Sequence, residues 1–201
     1  MEFISKALFG IANSLLIPDV ILLILFFFRA LLLIGSTYSN YMVRRKNSRL
    51  FDATIKELTP ETVADLQQKL PEKADSLFTK YLKDLLGKER TEDYADYALT
   101  KFETEAAKDI NLSRILAKLG PVLGLIGTLI SMSPALVGLS TGDISGMAYN
   151  MQVVFASTVV GLIISAVGLF TLELKQRWYA KDVNNLDYVS RILIQKEEDK
   201  Q

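Results

Sequence analysis

The stretch Leu119-Gly-Pro-Val-Leu-Gly-Leu-Ile-Gly-Thr-Leu-Ile-Ser-Met132 opens a run that carries no charge as far as Gly142, 24 residues in all. At about 1.5 Å of rise per residue, a helix of that length crosses the roughly 30 Å hydrocarbon layer of a bilayer. Inside the run, Gly120, Gly124, Gly127, Thr128 and Ser131 recur at three- and four-residue spacing. That spacing gathers small residues on one helix face. Lipid gives helices no hydrophobic drive to associate, so small faces that allow close contact do that work instead. Hydroxyls at that depth need partners. Two readings stand: packing alone, with each hydroxyl bonded back to its own helix, or a polar interface lined by hydroxyls.

The block that follows, Ile144 to Leu172, is uncharged over 29 residues and repeats the device with Ser157, Thr158, Gly161, Ser165 and Gly168. Two matched small faces on spans joined by a short turn favour a lined polar interface over packing alone. A third block lies upstream, from Leu15 to Tyr38, interrupted by Pro18, Asp19 and Arg29. From Val20 to Ser36 it is nearly all Ile, Leu and Phe, as expected for lipid contact. It is too long for a signal-peptide core, only Lys6 precedes it as a basic residue, and no small-x-small cleavage site follows, so it reads as a retained span. Before it, Phe3, Ile4, Ala7, Leu8, Ile11, Ala12 and Leu15 recur at helical spacing. They predict a short amphipathic helix on the membrane surface, parted from the span by Pro18; a frayed tail is the plainer alternative.

Composition agrees. Of 201 residues, half are hydrophobic, yet 23% are charged, with 23 basic and 23 acidic side chains and a mean hydropathy of +0.23. Both figures hold only if apolar and charged residues occupy separate blocks, which excludes a uniform soluble globule. There is no Cys and no His. Thiol catalysis, disulfides, Cys/His zinc sites and histidine acid–base chemistry are therefore excluded. Zero net charge gives nucleic-acid binding no support. The chain is expected not to be an enzyme and to hold no cofactor or metal.

Loop charges set the expected topology. Arg44, Arg45, Lys46 and Arg49 follow the first span, and Lys175, Arg177 and Lys181 follow the third. The turn around Ser140 to Ser145 has only Asp143. The positive-inside rule puts both basic flanks in the cytoplasm and the N-terminus outside, in a multi-pass protein of the cell (inner) membrane. Trp178 and Tyr179 fit an interfacial belt on the inner side.

Between the first two spans, residues 47–118 are too polar for a bilayer and read as helices. Thr59-Pro60-Glu61 and Pro71-Glu72 are helix-start signals. Leu77, Phe78, Tyr81, Leu82, Leu85 and Leu86 make one apolar stripe ended by Gly87. Thr91 opens a further helix, with Tyr94, Ala98 and Phe102 on one face. Asp93 with Asp96, or Glu103 with Glu105, reads as a solvated helix face mixed with Lys101 and Lys108, and not as an acid pair or a metal site. After the third span, Val183, Leu186, Val189, Ile192 and Leu193 keep helical spacing, so that span is expected to continue as one long helix.

The fold class is therefore an all-α membrane protein with three transmembrane helices and long cytoplasmic helical extensions. The expected division is an outer amphipathic helix over 1–16, spans over 17–38, 119–140 and 149–172, a cytoplasmic helical region over 39–118, a short outer turn over 141–148 and a cytoplasmic helical tail over 173–201.

The quoted 119–132 stretch resembles the second span of the MotA/TolQ/ExbB proton channel family, closer to TolQ/ExbB than to MotA, with a proline followed by Gly-Leu-x-Gly-Thr. Phe155-Ala-Ser-Thr-Val-Val-Gly-Leu162 is similar to the Ala-Thr-Ala-x-Gly-Leu stretch of that family's third span. The order of segments matches as well. The resemblance implies a pentamer whose second and third spans line a pore around two single-span subunits resembling ExbD or TolR. A transmembrane aspartate of that partner would carry the ion and drive motion of one part against the other. The family's pore threonines fall on Thr128 and Thr158, facing the partner's carboxylate. Ser131, Ser157 and Gln152 would join the lining, and Gly124, Gly127, Gly161 and Ser165 would let helices approach closely. Neutral hydroxyls suit a wall that faces a mobile carboxylate, because they donate or accept as it protonates.

Three positions depart from the family. Its glutamate early in the third span is Val153 here, beside Gln152; its later proline is replaced near Val167; its closing Tyr-Asn is replaced near Leu172 and Glu173. No acid then lies within the second or third span, so transport would rest wholly on the partner, and hydroxyls would serve sodium as readily as protons. Arg29 is an ionisable group inside the first span, a functional hypothesis by default. Its structural alternatives are snorkelling to headgroups or a pair with Glu173. The expected function is the pore-forming subunit of an ion-driven energy-transducing complex of ExbB/TolQ type. The alternative is a non-conducting scaffold that binds partners through its cytoplasmic helices.

Overall fold

The computed structural model describes residues 2–56, 76–87 and 91–198, together with residues 58, 59, 62, 63 and 66. The helix starts expected at Pro60-Glu61 and Pro71-Glu72 lie outside the described residues. Among the described residues, four helices carry the fold: α1 (Glu2–Lys56), α2 (Leu77–Gly87), α3 (Glu92–Thr141) and α4 (Ile144–Glu198). Among the described residues there is no strand. Three helical stretches among the described residues, Phe9–Lys46, Glu92–Thr141 and Ile144–Gln195, are long and apolar enough to cross a membrane. The chain is a multi-pass, all-helical membrane protein.

The residues divide into two compact units, one of 1–34 with 112–172 and one of 35–111 with 173–201. The first is the membrane unit. The break expected at Pro18 is not there: α1 runs through it. A proline inside a membrane helix is tolerated because local adjustments and neighbouring groups satisfy the carbonyl it frees. Leu23, Ala30 and Leu33 of α1 are buried against Leu116 of α3 and Ile164 of α4, with Phe26, Phe27, Leu123 and Val160 packed around them. Leu22, Leu25, Phe28 and Leu32 point outward. That outward apolar face suits lipid.

α3 and α4 are joined by a very short turn. Gly142 has φ +75°, a left-handed conformation that glycine adopts without penalty. Its N–H bonds the Leu139 carbonyl at 3.3 Å, and the Asp143 N–H bonds the Gly138 carbonyl at 2.8 Å. This pair of bonds is a Schellman ending. Asp143 then caps the next helix, its Oδ1 accepting from the Gly146 N–H at 2.9 Å. One residue thus closes α3 and starts α4, so the third-span helix begins at Ile144 and nothing between the spans remains as free loop.

The polar unit has its own core. The α2 stripe behaves as its spacing predicts: Phe78, Tyr81, Leu82, Leu85 and Leu86 are buried. They meet Ala95, Ala98 and Phe102 of α3, Leu186, Val189, Ile192 and Leu193 of α4, and Ile55, Leu58, Val63 and Leu66. Phe102 is fully buried, with Tyr81 and Tyr179 edge-on at ring distances of 5.5 and 6.0 Å. Thr91 caps α3 as expected, accepting from the Tyr94 N–H through its hydroxyl at 3.4 Å. α4 does continue unbroken to Glu198.

Trp178 and Tyr179, expected to form an interfacial belt, are engaged within this unit. Arg44 stands 5.3 Å from the Trp178 ring and 5.2 Å from the Tyr179 ring, and it clasps Asp182 through two hydrogen bonds of 3.1 and 2.5 Å. The Tyr179 hydroxyl donates to Asp109 at 2.8 Å. Burial, and then the Asp109 carboxylate, push that hydroxyl well above the usual tyrosine range. The buried Lys175 ammonium pairs with the same Asp109 at 2.8 Å.

Candidate functional site

The site is built where α3 and α4 come closest. A Cβ placed on Gly120 would stand 2.6 Å from the Gly161 carbonyl oxygen, and one on Gly161 would stand 2.5 Å from the Gly120 carbonyl oxygen. One on Gly124 would meet the Ser157 carbonyl at 3.1 Å. One on Gly168 would collide with the backbone of Ala117. The two helices therefore touch backbone to backbone at positions where no other residue fits.

Pro121 adds a second constraint. It has no N–H, so the Ala117 carbonyl loses the donor a helix normally supplies four residues on. Ser165 of α4 replaces that donor: its hydroxyl bonds the Ala117 carbonyl at 2.9 Å. Further along the pair, the Thr171 hydroxyl lies 3.2 Å from that of Ser113, both buried. Hydroxyls on these spans thus repair the helices and cross-link them.

Thr128 and Thr158 are carried on this clamp. Thr128 follows Gly124 by one turn on the same face, and the Thr158 Cα would lie 3.4 Å from a Cβ on Gly124. Both side chains are half-buried. The Thr128 hydroxyl donates to the Leu125 carbonyl at 2.7 Å and that of Thr158 to the Val154 carbonyl at 3.3 Å. Each proton rests on its own helix, and the oxygen lone pairs stay available.

Ser157 and Ser131 point elsewhere. Both are buried inside the three-helix unit. The Ser157 hydroxyl is committed to the Val153 and Val154 carbonyls at 3.1 and 3.0 Å. The Ser131 hydroxyl is 1% exposed and has no hydrogen-bond partner. Gln152 lies on the exposed face of α4. Of the five residues expected as lining, the surface of this protomer therefore presents Thr128, Thr158 and Gln152, and its interior holds the two serines.

Gly127 has a different neighbour from the other glycines. A Cβ there would lie 2.8 Å from Oδ2 of Asp19 and 3.0 Å from Oγ of Ser157. Asp19 of α1 is thus pressed against the α3–α4 pair. It is 4% exposed, and neither carboxyl oxygen has a hydrogen-bond partner. Glu173 pairs with Arg177 one turn along its own helix, at 2.9 Å, which is a different partner from the Arg29 expected for it. Arg29 lies on the exposed face of α1. Among the described residues, no group of three or more acidic side chains is placed to hold a metal ion.

Residues 52–187 match the MotA/TolQ/ExbB proton channel family. The chain belongs to that family. The match takes in the α3–α4 pair with Thr128 and Thr158, and it begins after the first span. No curated protein matches the chain. Membership makes this a multi-pass membrane protein of a family of proton channels, and the α3–α4 clamp lies within the matched residues.

Asp19 is the residue that sequence reasoning missed. The available signal was its position: an ionisable group within a membrane span is costly and functional by default. Taking Pro18 as a helix end placed Asp19 at a span boundary. With the helix running through the proline, the carboxyl falls opposite Gly127 and Ser157, deep among the spans.

Proposed function

We propose that the chain is the pore-forming subunit of an ion-motive-force-driven membrane complex of ExbB/TolQ type. In this reading five copies surround two copies of a single-span partner that carries a membrane aspartate. The N-terminus lies outside the inner membrane and the polar unit lies in the cytoplasm. The complex spends a proton gradient, or a sodium gradient that the same hydroxyls would serve, on transport or envelope work through the partner.

The observation that carries this reading is the placement of Thr128 and Thr158. Thr158 stands opposite Gly124 and Thr128 one turn beyond that glycine, on two helices locked together by glycine, both half-buried in the protomer, with neutral hydroxyls whose lone pairs remain free. A partner carboxylate facing such a wall finds donors when ionised and acceptors when protonated, and it meets no fixed positive charge that would trap it.

The test is to purify the complex through a tag on this chain, after co-expression with its neighbouring genes, and to weigh it by native mass spectrometry. Five copies with two of a small single-span protein support the proposal. A monomer, a dimer or an assembly without a partner overturns it and leaves the scaffold reading, in which Thr128→Val and Thr158→Val change nothing.

A further inference from the structure

We propose that Asp19 is a proton-binding site of the chain itself, taking up and releasing a proton inside the three-helix unit against Ser157. The family match begins at residue 52, so nothing in that match assigns a role to this residue. The proposal rests on reading the chain as an ion-conducting subunit, and its test does not depend on that reading.

The argument starts from cost. A carboxyl 4% exposed, with neither oxygen hydrogen-bonded, is among the least favourable groups to keep within a membrane unit. Packing alone would be served by alanine or leucine. Gly127 leaves room for Asp19: any side chain there would stand 2.8 Å from its Oδ2.

The neighbours decide what the carboxyl carries. Ser157 has already spent its proton on the carbonyls of Val153 and Val154. Its oxygen is left with acceptor capacity only. Asp19 Oδ2 and Ser157 Oγ both border Gly127, at 2.8 and 3.0 Å from a Cβ placed there, and a proton on Asp19 removes the charge that makes the buried carboxyl costly. Ser131, one turn from Gly127 on the same face of α3, is a second buried hydroxyl without a partner.

No charged group competes. α3 presents Gly127 here, and α4 presents Ser157, both neutral. The other charged residues of the membrane unit are Glu2, Lys6, Arg29, Arg114, Lys118 and Asp143. The nearest along α1, Arg29, is ten residues on, about 15 Å of helix. In each cycle the Asp19 carboxylate gains one O–H bond from a proton entering the unit and loses it to water or to a second carboxylate, and nothing else is consumed.

The test is modification of the full-length protein, in liposomes, by dicyclohexylcarbodiimide, which attacks protonated carboxyls in apolar surroundings. The adduct is mapped by peptide mass spectrometry across a pH series, with and without sodium. The expected result is an adduct on Asp19, absent from Asp19→Asn. Its yield should fall about tenfold per pH unit above its midpoint, as a titrating carboxyl does, and sodium should not change it. Sodium protection at fixed pH would overturn the proton assignment in favour of a metal cation. An adduct yield independent of pH would show a permanently protonated structural acid and also overturn it.

Should the reagent fail to reach the site, the infrared difference between wild type and Asp19→Asn reads the same group. A protonated-carboxyl band that fades with rising pH supports the proposal, and no pH-dependent band overturns it. Neither readout needs the partner or a current, so loss of the motor reading and loss of this one are told apart.

Discussion

The Ser165 hydroxyl donates to the Ala117 carbonyl at 2.9 Å, the carbonyl that Pro121 deprives of its helical donor. The two residues lie on different spans, so one hydrogen bond both repairs α3 and ties it to α4. Ser165→Ala is expected to cost about 1 kcal/mol, in the range of polar contacts within membranes. In a Pro121→Ala background the backbone donor returns, and the same substitution should cost less than half as much. Unfolding in mixed micelles across the four variants measures the coupling. Equal costs in both backgrounds would break the link between Ser165 and the proline.

The glycine clamp predicts a contrast between two Gly→Ala changes. At Gly161 the new methyl meets backbone, with the Gly120 oxygen at 2.5 Å, so the helices must separate. The expected loss is about 1–3 kcal/mol, as for overpacked cores. At Gly35 there is nothing within 4 Å, and alanine should be neutral or should stabilise α1 by up to about 1 kcal/mol. Thermal unfolding of the two variants, side by side, checks both signs.

The polar unit depends on Phe102, which is fully buried between Tyr81 and Tyr179. Phe102→Ala should destabilise that unit by about 3–5 kcal/mol. Hydrogen exchange reads it locally: amides of α2 should lose protection, while those around Gly120 and Gly161 keep theirs.

A weak acid dependence should be visible in the same unit. Lys80 pairs with Glu105 at 3.0 Å and, with Tyr81 alongside, holds the Glu105 carboxyl below its ordinary value. A carboxyl lowered in the folded state adds stability above its unfolded value, and that stability is lost as pH falls through the folded value. Protection of α2 should therefore fade on acidification, and Lys80→Gln should flatten that slope. An unchanged slope in Lys80→Gln would assign the acid limb to other carboxylates.

Much of this was legible from the sequence. Apolar runs long enough to cross a bilayer leave a chain few options, so the three spans, and the small residues of the second and third, could be read directly. So could the α2 stripe from Leu77 to Leu86, because burying one face dictates helical spacing. What could not be read has a physical cause in each case. Pro18 reads as a helix end by local rules, but a membrane helix does not give up its hydrogen bonds so easily, and this hid Asp19. Which face of α3 or α4 each small residue occupies depends on how three helices pack, and spacing alone does not reveal that. Thr128 and Ser131 are three residues apart, yet one is half-buried and the other sealed inside. The Arg44–Asp182 pair spans 138 positions and left no local trace.

The central claim is that Thr128 and Thr158 line an ion path. It is tested most directly by proton flux into liposomes holding the complex purified through this chain, wild type against Thr128→Val/Thr158→Val, with subunit composition checked in both samples. The account predicts intact assembly and a flux lowered by at least about tenfold in the variant, equivalent to about 1.4 kcal/mol on the barrier. An intact variant complex that carries protons as fast as wild type would contradict it.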